Sequence, residues 1–146
     1  MLEPGSTIVP AALGYTGLRD LVLDGQTLTI AVDLPGSTRV RFVGRDLRCA
    51  SGAARIAHET DTPVVLVLAR QTEGVHQRLE LTEPLLPGDF ADAGALLQAM
   101  LDRFEPAVLD WPEAYDWPRP KFVQLGPDGE PVTYERDPGE PDHVNP

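Results

Sequence analysis

The stretch from Leu28 to Arg70 constrains the fold more than any other, because strand, strand, helix and strand patterns follow one another in it without a long gap. Leu28-Thr-Ile-Ala-Val-Asp33 is an apolar run ending on a carboxylate, and Arg39-Val-Arg-Phe-Val43 alternates charged and apolar residues as a half-buried strand does. Pro35-Gly36-Ser37 breaks the first two strands apart. Ser51 then stands where its hydroxyl can accept a free N–H of a first helical turn, and Ala53, Ile56 and Ala57 fall on one face of the helix that follows. Thr62-Pro63 ends that helix. Val64 to Leu68 is a continuous β-branched and leucine run, the pattern of a strand covered on both faces in a parallel sheet reached by a helical crossover.

Around this centre the chain is simpler. Residues 1–17 are punctuated by Pro and Gly and read as an irregular lead-in, while Leu18 to Leu23 fits a short helix or a strand and ends at an Asp24-Gly25 turn. In His76 to Thr82, Gln77, Leu79 and Leu81 face one way and Arg78 and Glu80 the other, which predicts a local antiparallel pair with the preceding strand. A clear amphipathic helix begins at Asp89 or Asp92, with Phe90, Ala93, Leu97, Met100 or Leu101, Phe104 and Val108 at three-to-four spacing. Pro106 is expected to kink or interrupt it, since proline supplies no N–H. From Pro118 the sequence is proline-rich and acidic, which predicts a disordered tail over 118–146 with a brief hairpin at Gly126-Pro-Asp-Gly129. The expected fold class is therefore α/β. Its mixed sheet is built from the Leu28, Arg39, Val64 and His76 strands, with the Gly52 and Phe90 helices packed on it.

Composition enters where it excludes functions. At 146 residues and 42% hydrophobic content the chain has the makings of one soluble globular domain. No apolar run approaches the roughly 20 residues that span a bilayer, and Met1-Leu-Glu-Pro-Gly does not resemble a signal peptide, so a cytoplasmic location is expected. The single cysteine, Cys49, cannot form an internal disulfide. A formal charge of -11 argues against nucleic acid as a partner, because that interface needs a positive surface. The charge is uneven, however. Arg39, Arg41, Arg45, Arg48 and Arg55 share one stretch in which Asp46 is the only acid, and such an island can meet a phosphate.

The order of a strand ending in Asp33, then Phe42-Val-Gly-Arg45, Ser51-Gly-Ala-Ala-Arg-Ile-Ala57 and Thr62-Pro-Val-Val65 resembles the second half of the bacterial lysophospholipid and lipid A biosynthesis acyltransferase family, which includes the phosphatidylinositol mannoside acyltransferases. Trp111-Pro-Glu-Ala-Tyr-Asp-Trp117 is similar to that family's closing proline, glutamate and tryptophan signature, so the resemblance runs from about Arg19 to Trp117. It implies half of a glycerolipid-acyltransferase-like fold over 18–117. The implied activity is acyl transfer from an acyl thioester, carried by acyl-CoA or acyl-carrier protein, to a hydroxyl of a membrane lipid or glycolipid. Peripheral contact with the inner face of the plasma membrane would follow, with Asp33, Arg45, Arg48, Ser51 and Gly52 bordering the substrate. No bound cofactor and no metal are implied. One departure lies at Val65-Leu66, where the family has a proline after its paired valines.

A second departure concerns the chemistry itself. The family abstracts the acceptor's proton with a His oriented by an Asp in an HxxxxD motif. Five positions after His58 stands Pro63, five after His76 stands Leu81, and His143 is too close to the end, so the motif is absent and no catalytic residue is assigned. The chain is then expected to be a half-domain that pairs with a complementary catalytic half or with a second copy of itself, a truncated reading frame, or a relative that no longer catalyses. Other catalytic readings are weaker. Cys49 with His58 as its base competes with Cys49 as a small packed residue, and His58-Glu59-Thr60-Asp61 reads as a solvated helix end rather than a metal site. A non-catalytic accessory protein that holds an anion or lipid on the arginine island stands as the alternative to the acyltransferase. The bland alternative for the arginines is the wet face of a strand.

Overall fold

A computed structural model of the chain describes residues 9–72, 74, 76–112, 115 and 123–131. Its elements in order are helix α1 (Gly14–Leu23), strands β1 (Pro35–Phe42) and β2 (Arg45–Cys49), helix α2 (Gly52–Thr60), strands β3 (Val67–Gln71) and β4 (Gln77–Leu81), helix α3 (Ala93–Asp110) and the short strand β5 (Val123–Gln124). The class is mixed α/β, with two small sheets that are antiparallel throughout: β1-β2-β5 and β3-β4.

The first sheet is built by alternation. Val40 and Phe42 from β1 and Leu47 and Cys49 from β2 point inward and are buried, while Arg39, Arg41 and Asp46 between them stay exposed. Their connection is Val43-Gly44, with φ of 50° and 70°. Positive φ at both central residues is what a two-residue hairpin needs to match the twist of its strands. Glycine adopts it freely, whereas valine is strained there. The Val43 N–H donates to Glu105 Oε2 at 2.6 Å, which helps hold it in place.

Helix α3 lies across the inward face. Asp92 caps it, its Oδ1 accepting from the Ala95 N–H at 2.8 Å, and Leu96, Leu97, Met100, Leu101 and Val108 are buried along its length. Phe104 stacks on Phe42 with centroids 5.9 Å apart and planes 6° from parallel. On its flank, Gln98 Oε1 accepts from the Arg41 N–H at 2.9 Å and Gln98 Nε2 donates to the Arg41 carbonyl at 2.8 Å. At Arg41 the free edge of β1 is thereby bonded by a helix rather than by another strand. Small residues Ala54 and Ala57 of α2 join the same core, and α1 rests on α2 with Arg55 4.4 Å above the Tyr15 ring.

Several expectations are corrected. Residues 26–34 form no strand, and Ile30 is exposed; an apolar run without a neighbouring ladder has nothing to fix it extended. Pro35-Gly36-Ser37 does not break the sheet but belongs to β1 as an irregularity between Pro35 and Thr38, both of which face Cys49. Gly36 is required there, since a Cβ would come within 2.4 Å of the Ala50 nitrogen. The Val64 to Leu68 run is no doubly covered parallel strand: β3 starts at Val67 and pairs antiparallel with β4, Leu66 points inward, and Val65 and Val67 are exposed. The β3-β4 pair itself is the one expected. Helix α1 starts at Gly14, inside the presumed lead-in, and α3 continues through Pro106 to Asp110. Strand β5 and the turn after it lie in the stretch expected to be a tail. There the Gly126 N–H donates to the Glu130 carbonyl at 2.8 Å and Leu125 bridges Pro131, as the Gly126-Pro-Asp-Gly129 hairpin requires. The rest of 118–146 lies outside the described residues.

Two consequences are measurable by urea unfolding. Gln98→Ala strips two hydrogen bonds from the β1 edge and should cost about 1–3 kcal/mol. Glu105→Gln keeps an acceptor for Val43 and should cost under about half the loss seen in Glu105→Ala; equal losses would mean that charge, not the hydrogen bond, matters.

Candidate functional site

Four charged residues of the first hairpin, Arg39, Arg41, Asp46 and Arg48, stand on its outward face. Arg39 stands directly opposite Arg48, and Arg41 opposite Asp46. Directly opposed side chains in an antiparallel pair have Cβ atoms about 5 Å apart, so two like charges at that separation repel. Asp46 answers one of them: its Oδ2 lies 3.0 Å from Arg39 Nη2, in a pair more than half exposed on both sides and hence worth little to stability. Arg41, Arg45 and Arg48 have no carboxylate partner among the described residues. The face thus carries two guanidiniums beyond the Arg39–Asp46 pair, on a chain whose formal charge is -11.

Arg45 sits at the turn end of β2, where an open cavity of about 400 Å³ lies between the hairpin and the 125–127 turn. Arg39, Arg45, Asp46 and Leu47 form one wall, and Leu125, Gly126 and Pro127 form the other. The Leu125 N–H donates to the Asp46 carbonyl at 3.4 Å and helps hold that second wall against the sheet.

The five residues expected to border one substrate are placed as follows. Arg48 is on the outward face and Arg45 at the cavity. Ser51 and Gly52 lie past the opposite end of β2, and the four residue steps from Arg45 to Cys49 alone span about 13 Å. Ser51 occupies the N-cap position of α2, yet its side chain makes no capping bond, and a Cβ built on Gly52 meets nothing within 4 Å. Asp33 serves a different end: the Tyr115 hydroxyl donates to its Oδ2 at 2.9 Å, which ties the 26–34 segment to the far end of α3. Arg45 and Gly52 therefore stand at opposite ends of β2, and Asp33 is engaged with Tyr115. Arg39 and Arg41 are exposed on the solvent-facing side of β1.

Cys49 is a packed residue. It is fully buried, and burial first, with the Asp33 charge adding to it, pushes the thiol up from its ordinary 9.0 to about 11. A thiol so held stays protonated at neutral pH and is no nucleophile. Among the described residues no group of three or more His, Cys, Asp or Glu side chains could hold a metal ion, and no helix is long and apolar enough to cross a membrane.

What sequence reasoning missed is β2 and with it the hairpin. The signal was present: Arg39-Val-Arg-Phe42 and Arg45-Asp-Leu-Arg-Cys49 both alternate, and two residues ending in glycine separate them. Valine in the place usually taken by asparagine hid it.

Comparison with protein-family models, with curated proteins and with solved structures finds no match.

The Cys49 shift carries a signed consequence. The folded state binds the proton more tightly, so this contribution to stability is whole below pH of about 9 and is lost as pH rises toward about 11. At 1.36 kcal/mol per unit the loss reaches about 3 kcal/mol. Urea unfolding of the natural chain and of Cys49→Ala across that range should show the natural chain falling more steeply; parallel curves would mean that the thiol is not sheltered.

Proposed function

We propose that the chain is a non-catalytic binding protein for a ligand bearing closely spaced phosphate groups, held on the outward face of the β1-β2 hairpin. One observation carries this reading: Arg39 and Arg48 are set directly opposite each other, beside Arg41, with a single carboxylate among them. A sheet that merely needed a solvated face would be more stable with opposite or neutral pairs there. Guanidiniums recognise phosphate oxygens through paired, charge-assisted hydrogen bonds, and a bound polyanion would turn the Arg39–Arg48 repulsion into a shared attraction. Neighbouring side chains on one face of a strand are about 6.5–7 Å apart, and opposed ones about 5 Å, so the three guanidiniums can grip two adjacent phosphates at once.

Acyl transfer in the manner of the resembling family needs a His and an Asp spaced as HxxxxD, which this sequence does not contain. The anion-binding alternative asks for nothing beyond the arginines present. A phosphorylated lipid headgroup and a soluble phosphate ester share the chemistry this face would recognise.

Calorimetric titration with inorganic pyrophosphate at low salt tests the reading. Binding should weaken as salt rises, and Arg41→Glu with Arg48→Glu should weaken it at least about tenfold, the loss of one charged hydrogen bond or more. Arg48→Gln, which removes the like-charge neighbour of Arg39, should bind less tightly while unfolding at an equal or higher urea concentration. A lack of heat from the natural chain, or equal affinity in the double variant, would overturn the proposal.

A further inference from the structure

The two hairpins treat their edges differently. On the outer edge of β1 the Arg41 N–H and C=O are bonded by Gln98, while the outer edge of β4 has no strand beside it among the described residues. Which of its backbone groups face outward follows from the ladder. The Thr82 N–H donates to the Leu66 carbonyl at 3.1 Å and the Thr72 N–H to the His76 carbonyl at 2.9 Å, so even-numbered residues make the bonds between β3 and β4. Gln77, Leu79 and Leu81 therefore direct their N–H and C=O groups away from β3. Their side chains share a face with Val67 and Ala69 on which none of these residues is charged, with Leu79 61%, Leu81 68% and Val67 55% exposed.

The side chains of β4 say what fits beside it. Arg78 stands directly opposite Arg70 in the hairpin, and Glu80, two residues on, is taken by Arg70 at 3.3 Å. Arg78 itself has no ion pair among the described residues. In an antiparallel pairing of β4 with a second β4 about a two-fold axis at Leu79, Leu79 meets Leu79, Gln77 meets Leu81, and Arg78 meets Glu80 on both sides of the axis. The outward N–H and C=O groups of the three odd-numbered residues then bond one another. Arg78 and Glu80 fall at the closer, non-hydrogen-bonded positions, where opposite charges attract most. Self-pairing of the outer β3 edge would instead bring no opposed charges together.

We infer that the chain forms a symmetric dimer through β4, in register at Leu79, giving a four-stranded sheet β3-β4-β4-β3 across two copies. The occupant is a second copy because the charge order of the strand is complementary to its own reverse. Alternating charges on an edge strand often ward off such pairing. Here their signs favour it in this one register.

Sedimentation equilibrium of the full chain should give twice the chain mass at high concentration. Arg78→Glu separates the dimer from the fold: in the single chain the new carboxylate faces Arg70 and is welcome, whereas in the dimer it faces Glu80 of the other copy. Its dissociation constant should rise at least about tenfold, with unfolding unchanged or later, and Arg78→Glu combined with Glu80→Arg should restore association. Hydrogen exchange on the natural chain gives a readout free of variants, since the outward Leu79 amide should slow as concentration rises. A monomer at every concentration, equal association by Arg78→Glu, or a Leu79 amide that exchanges freely within the dimer would each overturn the inference.

Discussion

Two side chains of α3, Gln98 and Glu105, take hydrogen-bonding positions along β1 that a further strand would otherwise fill. Seven residues apart, they project from one side of the helix and meet the strand backbone at Arg41 and Val43. This fixes the rotation of α3 about its axis. With that flank committed to the strand edge, Leu97 and Leu101 are fully buried and Phe104 stacks on Phe42. It also supports the strained valine in the hairpin turn, so that β2 returns in the register that lays Val40 against Leu47. The core, the hairpin and the outward display of arginines therefore share one polar attachment. Buried apolar area supplies most of the driving force, while these directional bonds select one packing among several.

That division explains what could be read from the sequence. Elements with a strong local period were legible: the α3 face at Leu97 and Val108, a cap at Asp89 or Asp92 that the structure resolves to Asp92, the helix after Ser51 and the β3-β4 pair. The Leu28 to Asp33 run was misread because its composition suits a strand and only the absence of a partner denies it one. The Val64 to Leu68 run was misread for the opposite reason. Its residues are apolar on both sides, so the sequence does not betray that Val65 and Val67 stay exposed. Pro106 looked like a helix breaker, yet it is an exposed residue near the end of α3, where tertiary packing on either side outweighs the loss of one internal bond.

The candidate site was legible as a charge pattern and illegible as a shape. Counting arginines between Arg39 and Arg55 pointed to the hairpin but also took in Arg55, which stands on α2 over Tyr15. Without β2 there was no way to see that Arg39 and Arg48 become neighbours, while Arg45 and Gly52, only seven positions apart, are carried to opposite ends of a strand. Asp33 illustrates the same limit: nothing local in the sequence announces that its partner is Tyr115. Contacts of long sequence separation are set by topology, and a resemblance in the order of short segments does not determine topology.

The second hairpin has a property that follows from its burial. No described side chain of β3 or β4 is buried; their link to the core runs through Leu66 and Leu85 beside them and through Arg70, which reaches Glu80 and Asp110. With so little apolar area at stake, this hairpin can detach while the α3 core stays intact, at a free energy well below that of global unfolding. Local opening of this hairpin is then expected to precede global unfolding. A single melting midpoint would average over both events, and the easier one sets how often the chain is open to proteases.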